Sequence, residues 1–156
     1  MAQDRPGFSL QALGGATHRF PTGRPSLVCF VKEDCQTCNV ASPVLEAFHR
    51  AFGAEADVLM VGQSLDGNVI LKDRHGLTLP ILDDSSCETS FAWDFEIVPT
   101  AFWFDAAGGL TAKVEGFVRQ EWQDLSRRIS ADLAAADAAV DWAALPEWRQ
   151  IGRAHV

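Results

Sequence analysis

The stretch that decides the fold begins with Ser26-Leu27-Val28-Cys29-Phe30-Val31 and continues, three residues later, with Cys35-Gln36-Thr37-Cys38. The first part is a short, unbroken apolar run, which is typical of a buried central strand. Apolar residues then recur at helical spacing from Val40 to Phe52, and Gly53 ends the pattern. We therefore expect a buried strand that leads into a helix over 35–52, with the cysteine pair at its first turn.

The rest of the chain predicts a single α/β domain. No internal repeat or linker is visible, so we expect one domain over residues 1–149. The element order β-α-β-α-β-α-β-β-α indicates parallel strands with one antiparallel hairpin. The further predicted elements are a hairpin or extended lead-in over 1–25, a buried strand over 57–62, a short helix over 68–75 closed by Gly76, an edge strand over 79–82, a helix capped within 83–86 that runs through Phe95, strands over 100–104 and 110–117, and a long helix from Gln120 to about Leu145.

Composition excludes several classes of function. The 156 residues include 21 acidic and 13 basic side chains, which give a net charge of −8. Such a chain lacks the clustered positive charge that nucleic acids or anionic membranes require. No apolar run approaches the length of a membrane span, and residues 1–6 do not have the pattern of a signal peptide. Four cysteines are too few for a disulfide-stapled scaffold.

The C-terminal string Ile151-Gly152-Arg153-Ala154-His155-Val156 matches the in-frame translation of a common sequencing-library adapter. We therefore expect residues 150–156 to be a non-native tail, and the natural sequence to be truncated near Arg149. The alternative is an ordinary polar tail. No function is assigned to His155 in either case.

The cysteine pair Cys35-Gln36-Thr37-Cys38 is the motif that carries chemistry. At a helix N-terminus, the unpaired backbone N–H groups and the helix dipole favour a thiolate over a thiol. Cys35, expected to be the exposed cysteine, would attack a substrate disulfide, and Cys38 would resolve the mixed disulfide. The alternative is half of a zinc site, but His18, His49 and His75 are scattered singly, and no second cysteine pair is present. We therefore predict no metal site.

An ordered series of motifs resembles the thioredoxin-like superfamily over about residues 6–135. The likeness is closest to its redoxin branch, which comprises TlpA/ResA-type thiol–disulfide oxidoreductases and the AhpC/TSA peroxiredoxins. The segments that carry it are Pro6–Leu10, Leu27–Val31, Cys35–Cys38, the helix proline Pro43, Val61–Asp66, Leu79–Asp83, Val98–Thr100 and Phe104–Gly108.

The resemblance implies a thioredoxin-like fold: a central mixed sheet flanked by helices, with a β-α insertion of the redoxin type and an N-terminal extension. It also implies that Pro99 is a cis-proline facing the cysteines, the alternative being a plain trans turn proline. A cis bond would turn the Val98 backbone toward the site, where a substrate segment could pair as an added strand. Val98, Pro99, Gln36 and Thr37 are accordingly the expected substrate-binding residues.

This chain departs from the family pattern around the first cysteine. Asp34, preceded by Glu33, stands where relatives usually have Trp, and carboxylates beside a thiolate oppose its formation. Both usual proton-transfer acids are missing: Cys29 replaces the buried Asp of thioredoxins, and Ala41 replaces the Glu of ResA-type proteins. A bound water or Glu33 could substitute. The sequence alone leaves open whether the pKa of Cys35 is raised or lowered.

The two remaining cysteines have different expected roles. Cys29 lies in the apolar strand and is expected to be a buried, inert thiol. Cys87 falls near the start of the helix that precedes Pro99, where a helix N-terminus could activate it. We predict Cys87 as a possible accessory redox thiol, with a passive cysteine as the alternative.

The leading functional prediction is a thiol–disulfide oxidoreductase that cycles Cys35 and Cys38 between dithiol and disulfide. Its expected partners are a disulfide-containing protein or small thiol, and a redox partner that donates or accepts electrons. We expect no cofactor, no nucleic acid, no membrane partner and a monomer. The expected compartment is the cytoplasm, or the periplasm if an N-terminal signal was lost.

Two alternatives stay open. A thiol peroxidase would need a Pro-x-x-x-Thr-x-x-Cys loop, but Lys32 or Cys35 stands where the threonine should be. A non-enzymatic thioredoxin-fold module could use the two soft thiols to hold Cu(I) or Hg(II).

Overall fold

The computed structural model describes residues 5–148 and the backbone of residues 149, 152 and 153. Four helices are present in this part of the chain: α1 (Gln36–Phe52), α2 (Leu65–His75), α3 (Glu88–Ala92) and α4 (Arg119–Leu133), followed by a short 3-10 turn at Trp142–Ala144. The strands are β1 (Phe8–Gln11), β2 (Thr17–Phe20), β3 (Ser26–Phe30), β4 (Asp57–Gly62), β5 (Ile81–Asp83), β6 (Ile97–Val98), β7 (Thr100–Phe104), β8 (Leu110–Glu115), β9 (Phe117–Val118), β10 (Trp148–Arg149) and β11 (Gly152–Arg153).

A five-stranded mixed sheet with the order β5-β4-β3-β7-β8 forms the centre of the fold. Strand β3 lies in the middle, parallel to β4 and antiparallel to β7, and all five of its residues are buried. Helices flank this sheet, and β1 and β2 form an antiparallel hairpin before it. The predicted central strand, mixed sheet and N-terminal hairpin are therefore confirmed.

Helix α1 has the predicted bounds. Cys35 is its N-cap and Gly53 its C-cap, and the face that includes Val44, Leu45 and Phe48 is buried in the core. Glu46, on the same helix, accepts hydrogen bonds from the backbone N–H groups of Thr78 and Leu79 and from the Thr78 hydroxyl. The helix is thus fastened both to the sheet and to the loop that precedes β5.

Helix α2 begins three residues earlier than the predicted Asn68. The reason is a side-chain cap: the Ser64 hydroxyl accepts a hydrogen bond from the Gly67 N–H at 2.9 Å. Its end is as predicted, because Gly76 adopts a left-handed conformation (φ 61°) that terminates the helix. Strand β5 begins at Ile81 rather than Leu79, since the Leu79 N–H is bonded to Glu46.

Helix α3 is shorter than predicted and ends at Ala92 instead of Phe95. The capping chemistry expected within 83–86 comes from Asp84, whose carboxylate accepts from the N–H groups of Thr89 and Ser90. Burial raises the pKa of the Asp84 carboxyl. The chain leaves the helix through Asp94, which has a positive φ of 56°.

Helix α4 was predicted to extend to about Leu145, but it ends at Leu133. Ala134 is left-handed (φ 51°), and the following segment folds back along the helix. Two helix hydroxyls hold that segment: Ser130 donates to the Ala135 carbonyl at 2.5 Å, and Ser126 donates to the Asp137 carboxylate. These tertiary contacts override the helix propensity of the alanine-rich sequence.

The N-terminal hairpin covers the outer edge of β5. Ala12 bridges to Leu82 in an antiparallel sense, and the Leu13 N–H donates to the Ile81 carbonyl at 3.1 Å. The segment before the hairpin is tied to the core through Trp93, whose indole N–H donates to the Pro6 carbonyl at 2.8 Å. In the described part of the chain, no helix is long and apolar enough to span a bilayer.

The predicted non-native tail lies mostly outside the described residues, which leave out 150, 151 and 154–156. The backbone of residues 152–153 forms β11, which is antiparallel to β6. The foreign origin of the tail and the single domain over 1–149 stay predictions.

Gly62, at the end of β4, provides a test of the packing between β4 and α2. A Cβ atom on Gly62 would overlap the buried side-chain amide of Asn68, which donates to the Leu82 carbonyl at 3.0 Å. Gly62→Ala should lower the free energy of unfolding by about 2 kcal/mol, because it displaces a hydrogen-bonded group from a filled space. In an Asn68→Ala background the same substitution should cost less than about 0.5 kcal/mol. Denaturant unfolding of the wild type, the two single variants and the double variant measures both costs. Equal costs in the two backgrounds would show that Gly62 and Asn68 do not compete for space.

Candidate active site

Cys35 and Cys38 lie where β3 passes into α1. Cys35 is the N-cap residue, with extended backbone angles (φ −101°, ψ 115°), and its Sγ accepts a hydrogen bond from the Cys38 N–H at 3.2 Å. Both cysteines are free thiols in the structure. The Cys35 Sγ also lies 3.8 Å from the Val98 carbonyl oxygen. The site therefore brings together three of the predicted residues.

The exposure of the pair differs from the prediction. Cys35, expected to be exposed, retains only 9% of its accessible surface, and Cys38 retains none. The Cys35 sulfur faces the Val98 carbonyl in β6. Of the two residues between the cysteines, Gln36 is exposed and Thr37 is buried.

The pKa of the Cys35 thiol is lowered from 9.0 to about 6. The largest cause is the hydrogen bond from the Cys38 side chain, and the backbone N–H groups of Cys38 and Thr37 add to it. Burial and the charge of Asp34 act in the opposite direction. The donors at the first turn of α1 therefore prevail, and Cys35 is a thiolate at neutral pH.

The other two core thiols are neutral. Burial strongly raises the pKa of Cys38, and the Cys35 thiolate beside it raises that pKa further. Burial likewise raises the pKa of Cys29, which is fully buried in β3. The prediction of a buried Cys29 is confirmed. Because Cys38 keeps its proton, it is the hydrogen-bond donor to the Cys35 sulfur. The Cys38 sulfur accepts a hydrogen bond from the Lys32 N–H at 3.4 Å.

The two carboxylates before Cys35 point to different places. Asp34 is 70% exposed and lies 3.9 Å from the Lys32 ammonium, so solvent and a cation screen its charge. The Glu33 carboxylate lies against the first turn of α2, where a Cβ on Gly67 would collide with it. Of these two carboxylates, Asp34 is the one whose charge raises the pKa of Cys35.

The Val98–Pro99 peptide bond is cis, which confirms the implied cis-proline. Two hydrogen bonds hold the turn: the Gly116 N–H donates to the Pro99 carbonyl at 2.7 Å, and the Thr100 hydroxyl donates to the Ile97 carbonyl at 2.7 Å. Val98 is itself buried, and its carbonyl faces Cys35.

Cys87 is the N-cap of α3 and has a left-handed backbone (φ 61°). Its N–H donates to the Asp84 carbonyl at 2.8 Å, and its own carbonyl accepts from the Phe91 N–H and the Ser90 hydroxyl. These contacts build the start of α3, which has only five residues. A redox role for this partly exposed thiol stays a prediction.

Asn39, which the sequence did not single out, is also part of the site. Its side-chain amide donates to the carbonyls of Cys35 at 2.9 Å and Glu33 at 3.2 Å. The available signal was its position one turn after Cys35. Its partners on α2, Arg74 and His75, are 35 and 36 residues away in the chain and gave no signal. Among the residues that the structure describes, no group of three or more His, Cys, Asp or Glu could hold a metal ion.

Several solved structures are similar to this chain in their overall fold. A Chlorobium tepidum structure, provisionally described as thiol:disulfide interchange protein DsbE, matches with a TM-score of 0.77 at 19% identity, over 85% of this chain and 96% of that chain. A secreted Mycobacterium tuberculosis disulfide oxidoreductase, homologous to E. coli DsbE, matches with a TM-score of 0.69 at 19% identity, over 80% and 95% of the two chains. StoA from Bacillus subtilis matches with a TM-score of 0.65 at 20% identity, over 76% of this chain and 97% of that chain.

These similarities concern the fold. The chain has a thioredoxin-like fold, and the implied fold class is confirmed. No family model matches the sequence, and no curated protein matches it.

The hydrogen bond from the Cys38 thiol to Cys35 provides a test of the site. Cys38→Ala removes this donor and should raise the pKa of Cys35 by about one unit, the scale of one lost charge-assisted bond. Cys38→Ser keeps a hydroxyl donor and should leave that pKa closer to the wild-type value. Thiolate absorbance at 240 nm, followed against pH in the reduced proteins, measures both. A pKa of Cys35 in Cys38→Ala that equals the wild-type value would show that the Cys38 side chain contributes nothing.

Proposed function

We propose that this protein is a dithiol–disulfide oxidoreductase in which Cys35 is the attacking thiolate and Cys38 the resolving thiol. The observation that carries the proposal is the contrast between two adjacent sulfurs. Cys35 has a pKa of about 6, while Cys38, one turn further along α1, is a buried neutral thiol that donates to it. Disulfide exchange requires a thiolate that attacks the partner and a second thiol that stays protonated until the mixed disulfide has formed.

The reaction begins with attack of the Cys35 thiolate on one sulfur of a partner disulfide. A Cys35–partner mixed disulfide forms, the partner's S–S bond breaks, and the other partner sulfur leaves as a thiolate. The Cys35 charge, which had raised the pKa of Cys38, is then gone. Cys38 becomes easier to deprotonate, and the leaving thiolate takes its proton.

In the second step, the Cys38 thiolate attacks the Cys35 sulfur and releases the second partner sulfur as a thiolate. The partner gains two electrons, and the Cys35–Cys38 pair loses two and becomes a disulfide. The reverse sequence oxidises a partner dithiol. Stabilisation of the Cys35 thiolate favours the reduced pair, so it makes the pair a better oxidant than one with an unshifted thiol.

The edge of β6 supports a binding mode in which a partner segment adds as an extended strand. The Val98 carbonyl lies beside the Cys35 sulfur, and the backbone of β11 is antiparallel to β6 along this edge. A partner strand in the same place would bring its disulfide to Cys35. Gln36 is exposed and is proposed to contact the bound segment. Thr37 contributes its backbone N–H to the Cys35 thiolate.

The proposed partners are a disulfide-bearing protein or a small disulfide, together with a second redox protein that resets the pair. The monomeric state and the cytoplasmic location stay predictions. Thiol peroxidase activity and soft-metal binding remain as alternatives, and the experiment below separates them from disulfide exchange.

Mixed-disulfide trapping tests the proposal. Cys38→Ser should accumulate an adduct through Cys35 when it is incubated with an oxidised peptide or glutathione disulfide, because the resolving step is lost. Cys35→Ser should form no adduct, and the wild type should convert to a Cys35–Cys38 disulfide that dithiothreitol reverses. Mass spectrometry of the alkylated proteins identifies each species.

Adding Cys87→Ser to the Cys38→Ser variant shows whether the adduct forms through Cys35 alone. An unchanged adduct yield is expected for the Cys35–Cys38 mechanism, and a lower yield would give Cys87 the accessory redox role. Full insulin-disulfide reduction by Cys35→Ser would overturn the mechanism. Fast hydrogen-peroxide consumption with little disulfide exchange would favour a peroxidase. Stoichiometric Cu(I) binding without exchange would favour a metal-holding module.

A further inference from the structure

A hydrogen-bonded cluster links the loop before the cysteine pair to the far end of α2. Its centre is the Asn39 side chain, one turn into α1, and its other members are Arg74 and His75 at the last turn of α2. The backbone carbonyls that it holds belong to Glu33 and Cys35. None of the steps of disulfide exchange described above uses this cluster.

Every hydrogen-bonding position of the Asn39 amide is occupied. Its Nδ2 group uses both hydrogens, one on the Glu33 carbonyl at 3.2 Å and one on the Cys35 carbonyl at 2.9 Å. Its Oδ1 atom has two neighbours, Arg74 Nη1 at 2.8 Å and His75 Nε2 at 2.7 Å. Because an arginine can only donate, the oxygen must face α2 and the nitrogen must face the loop.

Arg74 holds the loop a second time. Its Nη1 donates both to Asn39 Oδ1 and, at 3.1 Å, to the Glu33 carbonyl. The Glu33 carbonyl therefore has two side-chain donors, one from each helix. On the other side of the same residue, the Glu33 carboxylate lies against Gly67 in the first turn of α2. The loop is thus bonded to the last turn of α2 and lies against its first turn.

We propose that Asn39, held in place by Arg74, is a positioning residue that fixes the Glu33–Cys35 backbone and keeps the Cys35 sulfur aligned with the N–H groups of the first turn of α1. This inference rests on the proposed function, because it concerns the nucleophile of disulfide exchange. The Cys35 carbonyl accepts both the Asn39 N–H at 3.1 Å and the Asn39 side chain at 2.9 Å. A change at Asn39 therefore moves the cap residue itself.

The mechanism is one of preorganisation. The Cys38 N–H must point at the Cys35 sulfur to stabilise a thiolate, and 3.2 Å separates the two atoms. If the loop is released, the Cys35 sulfur can move away from these donors, and a thiolate is then less stabilised than before. The reduced pair becomes less favoured, so the same loss also shifts the redox equilibrium toward the disulfide.

The experiment compares Asn39→Ala, Arg74→Ala and the double variant in the full chain. Lys72→Ala is the matched control, because it removes one positive charge and one hydrogen bond from the same helix end: Lys72 donates to the Leu77 carbonyl, outside the loop. Thiolate absorbance against pH gives the pKa of Cys35, and equilibration with glutathione buffers gives the redox equilibrium constant. Thermal unfolding of the reduced proteins reports structural damage separately.

Asn39→Ala should raise the pKa of Cys35 by about one unit and shift the glutathione equilibrium by up to about tenfold toward the disulfide. Arg74→Ala should act in the same direction by about half as much. The double variant should exceed Asn39→Ala by less than the full Arg74→Ala effect, because Arg74 acts partly through Asn39 and partly through its own bond to the Glu33 carbonyl. Arg74→Lys, which keeps a cationic donor, should recover part of the effect. Lys72→Ala should leave both quantities unchanged.

The proposal is wrong if Arg74→Ala leaves the pKa and the equilibrium constant at the wild-type values, or if the effects of the two variants simply add. Arg74 is exposed, so its variant should fold even where Asn39→Ala does not. A wild-type protein that forms no reversible Cys35–Cys38 disulfide would contradict the proposed function instead. The pKa of Cys35 can still be measured in that case, which keeps the two failures distinct.

Discussion

Strand β3 is the constraint on which the remaining structure depends. It is hydrogen-bonded to a neighbour on each side, and all its residues are buried, so neither its position nor its register can drift. The ladder to β4 even continues one residue further, through the Val31 N–H to the Val61 carbonyl at 2.9 Å. On the other side, Phe30 pairs with Thr100, so the residues before Thr100 must lie beside the end of β3. That register brings the Val98 carbonyl to the sulfur of Cys35.

The site then separates two chemically identical groups by a single helical turn. Cys35 stands at the cap and accepts hydrogen bonds from the Cys38 side chain and from the backbone N–H groups of the first turn, which together outweigh its burial. Cys38 stands inside the helix against the sheet, where burial dominates and keeps its proton in place. The spacing of the motif and the burial of β3 set up this asymmetry. The proposed mechanism accordingly uses neither of the acidic side chains that the sequence resemblance implies at the positions of Cys29 and Ala41.

The sequence predicted those features that local pattern determines. The unbroken apolar run of β3 and the helical spacing up to Gly53 placed β3 and α1 correctly, and the motif series implied the cis bond at Pro99. The end of α4 was missed, because hydroxyl contacts to a returning segment stop an alanine-rich helix that propensity alone would continue.

The exposure of Cys35 and the contacts of Asn39 could not be predicted from the sequence. The exposure of Cys35 depends on β6, and the contacts of Asn39 depend on Arg74. Both β6 and Arg74 are far from the cysteine pair in the chain. A pattern within one segment carries no information about which remote side chain will face it. For the same reason, the effects of Glu33 and Asp34 could not be separated before the structure showed one against α2 and the other in solvent.

The N-terminal hairpin has a consequence for association between molecules. An open sheet presents unpaired N–H and C=O groups at its two outer strands, and these can template pairing with another chain. Here one outer strand, β5, is already bridged by Ala12 and Leu13. The other, β8, carries the exposed pair Lys113 and Glu115, with 2.7 Å between their charged atoms. A copy that approached either edge would have to displace the hairpin or bury that ion pair, so the sheet is protected against strand-to-strand aggregation on both sides.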